Sequence, residues 1–228
     1  MADVKTGGAA DKQLGHVALH YKTPADAPRA AKLMALLGFK KQQEIDFGGG
    51  VMFYQFMVAD DATHRGAGTF YLSLLPPPLA NITRVIREEL RVGSPQEHPA
   101  VAELRAGQAQ DPEMNFHVGV LLESLEEMER LMAVLAEANA NDPDLKGRLK
   151  LVGNKAKPGD AAIDARMAAS PFFSQTPRQC YGKFGVQAFV ETDLLAGGPL
   201  GENMVIELDY VFAGHQDEHM FIKTELAG

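Results

Sequence analysis

The sequence predicts an α+β protein made of two copies of a strand–helix–strand–strand–strand unit. Three observations carry this. Apolar and polar residues alternate in short stretches throughout both halves, the period of a half-buried strand. In each half the first such stretch leads into a run with apolar residues at helical spacing. The two halves also match at both ends. His16-Val17-Ala18-Leu19 and His117-Val118-Gly119-Val120 each open a first strand, and Tyr71-Leu72-Ser73-Leu74 aligns with Val205-Ile206-Glu207-Leu208 in the closing strand.

In order, residues 14–21 alternate as a strand. Thr23-Pro24 then offers an N-cap and a proline at the first helical position, and Ala30, Leu33, Met34 and Leu37 give the helical face that Gly38 ends. Strands follow at 40–47, 51–58 and 69–75, with Gly48-Gly49-Gly50 turning between the first two. Pro76-Pro77-Pro78 closes this module, residues 14–75. Residues 76–113 form a connector with an amphipathic helix at 79–91 and a short helix near 99–106. The second module, 114–212, opens with a strand at 116–122. Ser124-x-x-Glu127 is a capping box for a helix whose face is Leu125, Met128, Leu131, Met132 and Leu135. Strands are expected at 149–152, 183–192 and 204–212, with an irregular insertion at 153–180. Residues 1–13 read as a flexible N-terminus and 213–228 as a tail.

Composition narrows the function classes. The chain has 228 residues, 46% hydrophobic and 23% charged, the balance of a folded soluble protein. Its net charge of -8 argues against a nucleic-acid binder. The single cysteine, Cys180, excludes an internal disulfide and speaks against a thiolate zinc site. With no apolar core in residues 1–13 and no run long enough to span a bilayer, a cytoplasmic protein is expected, with no membrane partner.

Side chains alternate across a strand. His16, Ala18 and His20 therefore share one face of the first strand, His117, Gly119 and Leu121 one face of its counterpart, and Val205, Glu207 and Asp209 one face of the last strand. Each strand turns most of its aliphatic residues to the other side. If the halves pair as curved sheets, these faces line one cleft. His16, His117 and Glu207 then form a two-imidazole, one-carboxylate site with open positions for water or substrate oxygens. A single strand histidine is more often a hydrogen-bonded structural residue; the repeat-equivalent placement of two of them favours the metal. His20 is the candidate base.

These features resemble the vicinal oxygen chelate superfamily, which includes glyoxalase I, extradiol dioxygenases and bleomycin resistance proteins. The resemblance covers residues 14–75 and 115–212. It implies paired βαβββ modules forming a U-shaped, partly open barrel-like sheet with helices outside, and metal ligands on first and fourth strands. His16 and His117 match the first-strand ligands. Asn203-Met204-Val205-Ile206-Glu207 matches the closing strand that ends in a glutamate ligand. Ser73 stands where glyoxalase I has a carboxylate, and residues 183–207 lack the histidine of the extradiol signature.

The expected function is a divalent-metal enzyme acting on a small molecule that chelates the ion through neighbouring oxygens. Fe(II) is favoured, with Mn(II), Ni(II) or Zn(II) as alternatives, and the reading leans to a dioxygenase on a catechol-like aromatic. The alternatives are a glyoxalase-like lyase or isomerase, and a non-catalytic drug-binding protein. A homodimer is implied by the resemblance alone. Asp209 is expected to orient a ligand or sit at the rim, and Tyr210 to pack in the core. Cys180 reads as a spectator thiol, His215 and His219 as tail residues, and the insertion, with Arg166 and Phe172-Phe173, as a lid or a contact loop.

Overall fold

The computed structural model describes residues 14–58, 68–180 and 182–215. Among them the alternating stretches become eight strands of one mixed, mostly antiparallel sheet that does not close into a barrel, accompanied by five α-helices. The first half runs β1 (His16–Tyr21), α1 (Ala27–Leu36), β2 (Lys40–Asp46), β3 (Met52–Met57) and β4 (Thr69–Leu74). The connector holds α2 (Pro77–Glu89) and α3 (Pro99–Gln110). The second half runs β5 (His117–Leu121), α4 (Leu125–Asn141), β6 (Leu149–Asn154), α5 (Ala161–Ala169), β7 (Gly185–Gly197) and β8 (Glu202–Val211).

Each half has its first strand parallel to its last: β1 beside β4, with His16 opposite Thr69, and β5 beside β8, with His117 opposite Val205. The other pairs within each half, β2–β3, β3–β4, β6–β7 and β7–β8, are antiparallel, as is the β1–β7 pair between them. The halves join where the far end of β7 meets β1, at Tyr21 opposite Leu195. Ser124 caps α4 by accepting the Glu127 amide at 3.1 Å, as the capping box requires. Thr23 does not cap its helix; its hydroxyl donates instead to Asp26 Oδ2 at 2.7 Å.

One continuous core serves both halves. Leu33 and Met34 of α1, Met128, Leu131 and Leu135 of α4, and Leu19, Leu72, Ile206 and Leu208 from the strands are buried together. These are the aliphatic faces predicted by alternation. The opposite face of the second half is also buried, with Gln187, Phe189, Val205 and Glu207 each at most 2% exposed. The connector covers it. Arg178 donates to the Gln110 carbonyl at the end of α3, and Gln187 reaches Glu113 just beyond it. The helices were expected outside the sheet; α3 instead ends against the inner face of the second half.

The insertion folds as α5 and a short 3-10 turn (Phe173–Gln175). It is tied to α4, with Arg166 donating to Glu129 at 2.8–2.9 Å and to Glu126 at 3.1 Å. Most of it therefore belongs to the helical layer; its last residues, Arg178 and Cys180, return to the sheet. No helix among the described residues is long and apolar enough to cross a membrane.

Candidate metal centre

The site starts from a local signal in Asp111-Pro112-Glu113-Met114. Asp111 caps a single 3-10 turn (Pro112–Met114) by accepting the Glu113 amide at 3.1 Å, with proline at the first position. Asn115 fastens the turn through its side-chain amide to the Pro112 carbonyl at 3.0 Å. The chain then enters β5, where the Val205 amide donates to the Phe116 carbonyl. This geometry brings Glu113, four residues before His117, over the same patch of sheet.

Glu113, His117 and Glu207 converge, with one ligand atom from each within 4.8 Å of the others. His117 Nε2 lies 3.4 Å from Glu207 Oε2 and 3.9 Å from Glu113 Oε2. His117 Nδ1 donates to the Asn115 carbonyl at 2.8 Å, which leaves the Nε2 lone pair facing the carboxylates. Gln187 sits behind them. Its Nε2 donates to Glu113 Oε1 and to Glu207 Oε1, each at 2.5 Å. Gln187 is oriented in turn by Asn154 Nδ2 at 3.3 Å, whose Oδ1 accepts Arg178 Nε at 3.0 Å. This chain occupies the Oε1 atoms and turns both Oε2 atoms toward the imidazole.

Negative charge is crowded here. Burial pushes the Glu113 carboxyl above its usual range; the Gln187 hydrogen bond opposes this, and the Glu207 charge adds to it. Asp209, beyond Glu207 on the same face, is pushed up to about 9 by burial, then by the charge of Glu207 and a hydrogen bond with it. Its Oδ1 is buried with no hydrogen-bond partner. Gly119 makes room for this pair, since a Cβ there would stand 3.2 Å from Asp209 Oδ2. Three neighbouring carboxyl groups with an available imidazole nitrogen form a donor set that suits a divalent cation.

The structure brings together two of the three ligands expected from the sequence, His117 and Glu207. His16 does not join them, and neither does His20. His16 is exposed at the start of β1 and stacks on Tyr71, ring centroids 4.5 Å apart. The reason is the junction between the halves. Glu207 pairs with Phe189, six residues along β7 from Leu195, the partner of Tyr21; that is roughly 20 Å of strand. From Tyr21, the antiparallel direction of β1 carries His16 further away still. His20 is half-buried, its Nδ1 3.2 Å from Ser73 Oγ, and burial lowers its imidazole below the usual range. As a base at the carboxylate cluster it is misplaced.

The ladders also correct the repeat alignment. With His16 equivalent to His117, Thr69 answers to Val205, Tyr71 to Glu207 and Ser73 to Asp209. The first half thus carries a histidine–tyrosine stack where the second carries a histidine–glutamate pair. The Cys180 thiol is buried, donates to the Asn154 carbonyl at 3.1 Å and is pushed well up by burial, in keeping with a spectator. His215 stacks on Phe184; His219 lies outside the described residues.

The sequence reading missed Glu113, Gln187, Asn154 and Arg178. Glu113 carries a weak signal, the Glu-x-x-x-His spacing to His117; the other three carry none. The chain matches no family model, no curated protein and no solved structure.

Proposed function

We propose that Glu113, His117 and Glu207 hold a divalent cation, and that the chain is a metal-dependent enzyme acting on a small molecule that chelates the ion through neighbouring oxygens. The observation that carries this is the pre-set geometry: one amide, Gln187, holds both carboxylates with their second oxygens toward an imidazole nitrogen whose partner nitrogen is already bonded. The parallel first-and-last strand pairing in both halves supports reading them as paired βαβββ modules of the vicinal oxygen chelate kind. A bound ion supplies Lewis acidity and a template for the substrate oxygens. The residues supply the rest: Gln187 orients the carboxylates, and Asn115 sets the tautomer of His117.

The donor set bears on the reaction. Two carboxylates and one imidazole are harder than two imidazoles and one carboxylate, and so favour Mn(II), with Zn(II), Ni(II) and Fe(II) as competitors. His16 stands outside the cluster, so the two-imidazole set on which the dioxygenase expectation rests is not formed, and this favours the lyase or isomerase alternative. Elemental analysis of the purified chain, beside Glu207→Gln, tests the reading. About one equivalent of a first-row divalent metal in the parent and a loss of about tenfold or more in the variant are expected. Metal-free protein that takes up no Mn(II), Zn(II), Ni(II) or Fe(II) on titration would overturn it.

A further inference from the structure

On the same inner face of the sheet, toward the junction of the halves, lies a cavity of about 590 Å³. The connector helices form one side of it, and it is open to solvent. Thr83 and Arg87 of α2, and Arg105 and Gln108 of α3, face Lys150, Glu191 and Asn203 of the sheet. A narrower cavity of about 160 Å³ adjoins it, sharing Gln108, Ala109, Asn115, Lys150 and Glu191. The narrow part is walled by Val152, Phe189 and Val205 under Pro112. Each of these strand residues lies two residues from Asn154, Gln187 or Glu207 on the same face of its strand, so the narrow part points toward the carboxylate cluster and ends short of it. Asn203 and Glu207 are four residues apart on β8, about 13 Å.

The wide end is cationic. Of the four basic residues lining it, Lys150 is paired with Glu191 at 2.8 Å, and Arg105 with Glu97 at 2.8 Å and with Glu202 at 3.7 Å. Lys22 and Arg87 remain. Among the described residues neither forms an ion pair; Arg87 donates to the Leu200 carbonyl at 3.1 Å. The acidic charges that act on Lys22, Asp193 and Asp26, are both bonded to Arg148, at 2.6 and 3.1 Å. Burial makes the Lys22 charge harder to keep, and an anion beside it offsets that cost. Two unpaired cations in a cleft, beside a narrower cavity that points toward the proposed metal centre, describe a site for an amphipathic anion.

We infer that this cavity binds a small organic acid, its carboxylate or phosphate head between Lys22 and Arg87 and its apolar body against Leu75, Ala80 and Ala196, directed toward the narrow part beside Val152. The inference names the substrate class of the site proposed above. It rests on that reading only for the role of the bound molecule, not for the binding itself.

Isothermal titration calorimetry of the full chain with phenyl phosphate, benzoate and neutral phenol tests it, with added Mn(II) and again after EDTA treatment. At low salt, at least one anion is expected to bind about tenfold or more tighter than phenol, with an affinity that falls as NaCl rises. Whichever anion binds better identifies the head group. Lys22→Gln and Arg87→Gln are each expected to weaken the anion by about fivefold or more at unchanged circular dichroism, while the remote Lys41→Gln leaves it unchanged. Anions that bind no tighter than phenol, an affinity indifferent to salt, or folded variants with parental affinity would each overturn the inference. Anion binding that persists in EDTA supports it even where Mn(II) fails to bind; anion binding seen only with Mn(II) would assign the contact to the metal and overturn it.

Discussion

At the residue scale the centre depends on one buried amide. Gln187 is 1% exposed and donates to both carboxylates, so removing it frees two side chains at once. Gln187→Ala is expected to weaken Mn(II) binding by about 10- to 100-fold, the usual cost of losing a residue that orients ligands, measured by competition with a fluorescent chelator. Glu207→Gln should weaken it at least as much. Its effect on the metal-free protein has the opposite sign. Deleting one of three crowded carboxylates relieves repulsion, so metal-free Glu207→Gln should be more stable than the metal-free parent, by on the order of 1 kcal/mol in urea titrations. A destabilised variant would mean that the hydrogen bonds of Glu207 with Gln187 and Asp209 outweigh the repulsion in the metal-free protein. His117 and Glu207 were legible in the sequence because strand alternation fixes which face a residue takes. Glu113 was not, since a single 3-10 turn has no periodicity to read. Gln187 was hidden for another reason: an amide in an apolar strand looks like any other tolerated polar residue.

At the element scale the connector is part of the site, and long-range contacts hold it. Only Val101 of α3 is buried, so the helix has little apolar surface to dock with. Arg178 supplies the tie, bonding the Gln110 carbonyl and Asn154 and standing 3.7 Å from Asp111. Arg178→Ala is expected to cost about 1–2 kcal/mol, after allowance for its partial exposure, and to speed amide exchange across residues 99–114 more than elsewhere. Uniform exchange would contradict the tie. Such docking cannot be read from the connector, whose partner lies some seventy positions later in the chain. The insertion behaves differently. Glu129 is held below the usual carboxylate range, first by Arg166 and, against the pull of burial, by Ser170. A depressed carboxyl stabilises above its unfolded pKa, and that stability is lost as pH falls through its folded value. Arg166→Ala should therefore cost about 1–2 kcal/mol at pH 7 and progressively less below pH 4.5, by denaturant titration.

At the scale of the whole molecule, two halves with the same strand connectivity share one core but not one site. The repeat and its element order were legible because each half repeats the same alternation and the same helical face. How the halves meet was not. That depends on a junction at Tyr21 and Leu195, together with Lys32 bound to Asp142 at 2.6 Å and Arg148 bound to Asp26 at 3.1 Å across the halves. Because the core is continuous, Leu33→Ala in the first half should cost about 2–5 kcal/mol and still give a single transition by both near-ultraviolet and far-ultraviolet circular dichroism. The same junction bears on the metal proposal, because it separates His16 from His117, so that the connector's Glu113 takes the third place in the proposed site. Anomalous diffraction from crystals grown with Mn(II) puts this most directly. One strong peak is predicted within bonding distance of Glu113, His117 and Glu207, and none at His16 or His20; a peak on either of those two histidines, or none at the carboxylate cluster, would contradict it.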